Sequence, residues 1–406
     1  MTIGLALAAC LDPLGPPDGV VVHRSTVARD RSPAASASSV AAMGVASRRF
    51  AYALYGHLAA DAGTQDVVLC PWSLVPALTM TYGGARGATA EQLHRALGLL
   101  TEPHAVMSEA LLRLGRYDGE RGPRLFTVNG TWLRPGAGVR EDYLDLLARR
   151  YGAELYELEL VGAEGVVNEW YARVTRGELS DVVPAGTFTP DTALVLTTGV
   201  LFAAAWAVPF PEANTHPGSF ELLDGSAAAV PFMSHRARYH VAEGDGWQAV
   251  RLAYTDDRLA MYLVLPERGA FARVEEAIAT QSLFDRVRRE VRPDHPEVIV
   301  TLPRFEARFE ADLIAALRRL GVVDLFERER ADLSGMLTAP AWVGAIRQEA
   351  RVRVDESGTV ASAGTTVVVD VISLPPVLVF DRPFFFAILE EPTEQLLFLG
   401  RVADPR

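Results

Sequence analysis

The chain has 406 residues, 49% of them hydrophobic and 22% charged, and a formal charge of −12. That is enough apolar material for a sizeable core, and it excludes a disordered or fibrous chain. All 39 basic residues are Arg, a bias that with the abundant Ala, Gly and Val points to GC-rich coding and a bacterial source, while the acidic balance argues against nucleic acid or another polyanion as the main partner.

No apolar run reaches the roughly 18 residues of a membrane helix. Residues 1–43 read as a targeting segment followed by a linker. Leu7-Ala8-Ala9-Cys10 is similar to a bacterial lipoprotein cleavage box, in which Cys10 would carry a lipid anchor. The charged start of such a signal is missing and the apolar stretch is short, so the alternative is an untethered tail with an incidental cysteine. Leu11 to Ala42 is rich in Pro, Ser, Ala and Asp without periodicity, which predicts a flexible linker. The two cysteines, Cys10 and Cys70, form neither a metal site nor a disulfide framework.

From about Gly44 the texture changes. Phe50, Leu54 and Leu58 recur at helical spacing, and Asp61-Ala62-Gly63 supplies a stop. Val67 to Cys70 predicts a short buried strand closed by Pro71. Tyr82 to Ala88 is Gly-rich and reads as a helix-to-helix turn. Asn129-Gly130-Thr131 is a formal glycosylation sequon in a strand-like stretch, read as chance. Leu194 to Phe202, Leu259 to Leu265 and Val298 to Leu302 predict strands. Glu310 to Leu320 predicts an amphipathic helix stopped by Gly321. No repeat and no strict βα alternation appears, so the class is α+β with much strand. The G-x-S-x-G, H-E-x-x-H, C-x-x-C and P-loop signatures are all missing, and neither an enzyme nor a cofactor or metal is expected.

The informative stretch runs from Val354 to Phe384. Gly358 to Gly364 is small, without charge or proline, and Thr365 to Val371 is β-branched apart from Asp370. Read as a strand, one alternate set is Thr359, Ala361, Ala363, Thr365, Val367, Val369 and Val371. That set is small or apolar throughout and suits a packed core. Yet the first half is too rich in Gly and Ala for a good permanent strand, and Leu374-Pro375-Pro376 cannot continue a central one. A segment able to be both exposed loop and inserted strand is a switch candidate.

These residues resemble the serpin family from about Gly44 to the C-terminus. Glu356-x-Gly358-Thr359 and the small residues after it match the hinge of the reactive loop. Ser373-Leu374-Pro375-Pro376, Phe380-x-Arg382-Pro383-Phe384 and Leu397-Phe398-Leu399-Gly400-Arg401 match the family's C-terminal signature. Cys70-Pro71-Trp72-Ser73, Asn168-x-Trp170, Trp206 and Leu302-Pro303-Arg304-Phe305 match further upstream. The resemblance implies a serpin domain over residues 44–406 with three β-sheets, eight or nine helices and an exposed reactive loop at about 356–376. It implies a monomeric, secreted or surface-anchored suicide-substrate inhibitor of serine endopeptidases, metastable in its native state. The loop is attacked as a substrate, and its insertion as a new central strand carries off the acylated protease in a covalent complex.

The hinge would be Glu356, Gly358, Thr359, Val360, Ala361, Ser362, Ala363, Gly364 and Thr365, whose small uncharged inward residues can enter a closed sheet. Family spacing puts the specificity residue sixteen positions after Glu356, at Ile372, with Ser373 following. Ile372 suits a shallow apolar pocket of the elastase or subtilisin type. A slip to Val371 keeps that class, and a slip to Asp370 would change it. No heparin-type basic stripe appears, so no polyanion cofactor is expected. The family usually carries an Asn and a His where the sheet opens; Thr198 and Gln348 stand there instead, near Cys70 and Ser73. A Thr–Gln contact would substitute and remove pH sensitivity linked to His. The alternatives are a non-inhibitory serpin acting as a binding or chaperone-like protein, and an inhibitor of cysteine proteases.

Overall fold

In a computed structural model of the protein the described residues are 15–117, 122–281, 283–292, 297–359 and 375–406. Among them the strands form three sheets. The largest has seven strands in the order β1 (Val21–His23), β4 (Leu155–Glu157), β3 (Arg124–Leu133), β5 (Leu194–Ala205), β14 (Gly358–Thr359), β13 (Val343–Asp355) and β12 (Phe305–Asp312). A six-stranded sheet follows the order β2 (Val67–Leu69), β17 (Gln395–Val402), β16 (Phe384–Glu390), β10 (Leu259–Pro266), β9 (Trp247–Ala253), β8 (His240–Gly244). The third, of four strands, runs β15 (Val377–Val379), β11 (Val298–Pro303), β7 (Ala227–Ala237), β6 (His216–Glu221). Both strands of the β16–β17 hairpin are buried along their length, which is why Phe384 to Glu390 and Gln395 to Val402 read as largely apolar runs rather than as alternating strands.

Nine α-helices appear among the described residues. Helix α1 (Ala37–Ala62) ends at Gly63, as Asp61-Ala62-Gly63 predicts, but it starts seven residues before Gly44. Ser36 accepts the Ser39 N–H there and caps it. Helix α2 (Pro71–Gly84) places proline at its first position, where the missing N–H costs nothing. Cys70 therefore starts a helix rather than ending a strand. Helices α3 (Gly87–Leu97) and α4 (Pro103–Leu114) follow, and the Gly-rich stretch is the α2–α3 turn. Helix α5 (Glu141–Arg150) precedes α6 (Glu164–Val174), and α7 (Phe271–Gln281), α8 (Leu283–Glu290) and α9 (Ile314–Arg319) complete the set. Buried α2 packs on one face of the seven-stranded sheet. Helix α6 covers the other face over a separate core of Trp132, Tyr156, Trp170 and Tyr171.

Two expectations are corrected. The linker reading fails over 15–42. Val21–His23 adds an edge strand to β4 through Val22↔Tyr156, and Asp30 pairs with Arg150 at 2.9 Å. Val20 joins the core under α6, so a polar and irregular stretch is tied down by contacts its composition does not announce. The helix expected from Glu310 to Leu320 is only Ile314–Arg319. Glu310 to Asp312 belongs to edge strand β12, where Arg308 meets Glu349 at 2.9 Å and Asp312 meets Arg347 at 3.5 Å. Cross-strand charge pairing and the ladder to β13 override, before Leu313, a helical periodicity that rests on Leu313, Leu317 and Leu320.

Candidate functional site

The seven-stranded sheet has a seam. β5 and β13 pair directly and in parallel from Leu194↔Val343 to Val200↔Ala350. Beyond Val200 they part, and β14 lies between them, antiparallel to both: Thr359 opposes Val354 on one side and Ala204 on the other. The first residues of the expected exposed loop are thus not exposed. Glu356 is 5% and Thr359 1% accessible. Gly358 has φ +152°, and a Cβ there would strike the carbonyl oxygen of Ala204, so the entry to the sheet needs glycine.

Three contacts pin this hinge. The Glu356 carboxylate accepts from Arg304 Nε at 2.8 Å to each oxygen and from Thr215 Oγ1. Burial alone would raise this carboxyl, but the hydrogen bonds from Arg304 and Thr215 outweigh it and hold its pKa below the usual glutamate value. Trp206 donates its backbone N–H to Ser357 O at 2.8 Å and its indole N–H to Asp355 O at 3.0 Å. The hydroxyls of Thr359 and Tyr254 lie 2.8 Å apart.

Farther down the seam, Asn129, Thr198 and Gln348 occupy one rung across β3, β5 and β13. Beneath them is the start of α2. Gln348 Oε1 accepts the Cys70 N–H at 2.9 Å. Its Nε2 donates to Cys70 O at 2.9 Å, Ser73 Oγ at 3.1 Å and Thr198 Oγ1 at 3.3 Å. Asn129 Nδ2 reaches Ser73 O at 3.3 Å. Gln348 thus ties both edges of the seam to α2. Burial pushes the Cys70 thiol up to about 12, so it stays a neutral packing group.

Residues 45–405 match the family described as Serpin (serine protease inhibitor). The chain belongs to the serpin family. An uncharacterized serpin-like protein of Thermococcus kodakarensis is 31% identical over 371 residues, covering 88% of this chain and 84% of that protein. Plasminogen activator inhibitor 1 of Neovison vison is 26% identical over 374 residues, with 88% and 91% covered. The structure of human thyroxine-binding globulin superposes with a TM-score of 0.82 at 23% identity, covering 90% of this chain and 99% of that one. At that identity the likeness establishes the serpin fold.

Glu356, Gly358 and Thr359 of this serpin therefore meet at the top of the seam, and Cys70, Ser73, Thr198 and Gln348 meet halfway along it. Val360, Ala361, Ser362, Ala363, Gly364, Thr365, Ile372 and Ser373 lie outside the described residues, as does Cys10. Sequence reasoning missed Arg304, Thr215 and Tyr254 as hinge partners, and it dismissed Asn129 as a chance sequon. Among the described residues no three His, Cys, Asp or Glu side chains converge on a metal position.

One group at the seam works against the closed state. Glu349 pairs with Gly199 on the face opposite Gln348 and is 3% accessible. Its Oε2 is buried without a hydrogen-bond partner. Burial, only partly offset by Arg308, holds its carboxyl above the ordinary value of 4.5. A raised carboxyl favours the fold at low pH, and that contribution is lost as pH rises through the folded-state pKa. Glu349→Gln is expected to raise the native melting temperature at pH 7 by about 2 °C, the shift that roughly 1 kcal/mol gives in a large domain. It should change little at pH 4. A lower melting temperature at pH 7 would mean that the Arg308 pair outweighs the burial.

Proposed function

We propose that this serpin is a suicide-substrate inhibitor of serine endopeptidases, which it traps by inserting residues 360–369 between β5 and β13. One observation carries the reading: Gly358 and Thr359 already pair with both strands at the only place where the seam is open, among the described residues. Continuing both ladders from Thr359 sets Gly364 between Gly199 and Glu349. Thr365 follows between Thr198 and Gln348, and Val369 comes opposite Leu194. The inward set is Ala361, Ala363, Thr365, Val367 and Val369, all small or apolar. Each can replace a seam contact without burying a charge. Ile372 lies thirteen residues past Thr359, roughly 43 Å along an extended strand. Insertion would carry an acylated Ile372 just past the far end of β5.

The chemistry belongs to the protease: its serine attacks the Ile372–Ser373 bond, Ser373 leaves as the new amine, and Ile372 remains as the acyl ester. The serpin contributes an ester removed from the active site that would hydrolyse it. Mixing with an elastase- or subtilisin-type protease is expected to give an SDS-resistant complex, with weak or no complex with trypsin. Ile372→Arg should reverse that preference by orders of magnitude, because the specificity pocket reads mainly this side chain. Clean cleavage with protease activity retained would instead identify a non-inhibitory serpin. An unchanged elastase rate in the variant would place the scissile bond elsewhere.

A further inference from the structure

The Tyr254 ring is held on two sides. It stacks on Trp206 at 4.6 Å between centroids with 12° between planes, and it meets Phe202 edge-on at 5.3 Å. Tyr254 is fully buried, and among the described residues its hydroxyl has one partner, Thr359 Oγ1 at 2.8 Å. Thr359 in turn is 1% accessible, and that hydroxyl pair is its side chain's only hydrogen bond there. The backbone pairs of β14 do not by themselves choose the side chain at this position. The phenol is what makes a buried hydroxyl acceptable at this position.

We infer that Tyr254 is a positioning residue for loop insertion: its hydroxyl holds Thr359 between β5 and β13, so that the first rung of the inserted strand exists before a protease arrives. The inference rests on the inhibitor reading for its purpose, though not for its geometry. Starting from a formed rung removes the slow first step of strand addition, and insertion then competes better with hydrolysis of the acyl ester. Opening the hinge takes Thr359 to water and deprives the buried Tyr254 hydroxyl of the one partner it has among the described residues, which distinguishes this pair from a contact that merely fills space.

The test is a double-mutant cycle with Tyr254→Phe, Thr359→Val and both together, in the full chain. Two readouts are needed: amide hydrogen exchange of the fragment carrying residues 356–359, and the number of inhibitor molecules consumed per protease trapped. Each single change leaves one buried hydroxyl unpaired. It should speed hinge exchange about fivefold, the factor a single such bond supplies, and raise the inhibitor consumed. The double change strands no hydroxyl but also lacks the hold, so both readouts should shift by well under the combined effect of the two single changes. Additive effects, or singles indistinguishable from wild type, overturn the assignment. If the exchange cycle shows the coupling while wild type traps no protease, the inhibitor reading fails and the Tyr254 assignment stands. If protease is trapped and the cycle is additive, the reverse holds.

Discussion

On the proposed insertion mechanism, Thr359→Arg is expected to turn this serpin from a trap into a substrate. Thr359 is 1% accessible between β5 and β13, facing the ring of Tyr254. Among the described residues no carboxylate bonds to the Thr359 side chain; Glu356 points instead to Arg304 and Thr215. A guanidinium placed there would be a buried charge without a partner, at a cost of several kcal/mol even after relaxation. The chain avoids this by withdrawing the hinge, so the variant should lose protection of residues 357–359 before any protease is added. Insertion must then begin by burying the charge. Each 1.4 kcal/mol is a factor of ten, so hydrolysis of the acyl ester should win by roughly tenfold or more. The measurement is the inhibitor consumed per protease trapped, together with the fate of the loop. Protease should be released active and the loop recovered cleaved. A variant that still traps one protease per molecule would rule out insertion through this hinge.

Glu356, Gly358 and Thr359 were legible because the proposed insertion constrains a run of residues at once. Alternate positions from Thr359 to Val371 must be small or apolar, and such a run stands out in any acidic chain. Helix α1 and strands β10 and β11 were legible for similar reasons: a stop at Gly63, a short apolar run in β10 and a short β-branched run in β11 are local signals. The clamp on the hinge was not. Arg304, Thr215 and Tyr254 reach Glu356 or Thr359 across 52, 141 and 105 residues, each through one side chain. A single arginine, threonine or tyrosine carries no pattern. Asn129 was hidden differently. Its neighbours spell a sequon, while its rung beside Thr198 comes from the register of β3 on β5. The N-terminal strap misled for a related reason, since Val20-Val21-Val22 is a single three-residue apolar run in a polar stretch.

Gln348→Ala is expected to weaken the seam where β5 and β13 pair directly. Gln348 is 3% accessible and makes four contacts, to Cys70 N–H, Cys70 O, Ser73 Oγ and Thr198 Oγ1. Truncation leaves the Cys70 N–H at the start of α2 buried and unpaired, and it cuts the side-chain tie between β13 and β5. An unsatisfied buried group costs about 1–3 kcal/mol, and the lost volume adds to it, so about 3 kcal/mol is expected. Spontaneous loss of inhibitory activity on warming should accelerate by roughly a hundredfold. Gln348→His tests the chemistry rather than the volume. A neutral imidazole accepts from Cys70 N–H with one nitrogen and donates toward Thr198 with the other. Once protonated it only donates, and the charge is buried. The folded-state pKa then lies below the ordinary value of about 6.5, and the unfolded chain binds the proton first. Stability should match wild type near pH 8 and fall as pH drops below about 6.5, a dependence the amide of Gln348 does not have. Melting curves between pH 5 and 8 compare the two. Parallel profiles would mean that residue 348 does not hold the seam through the Cys70 N–H.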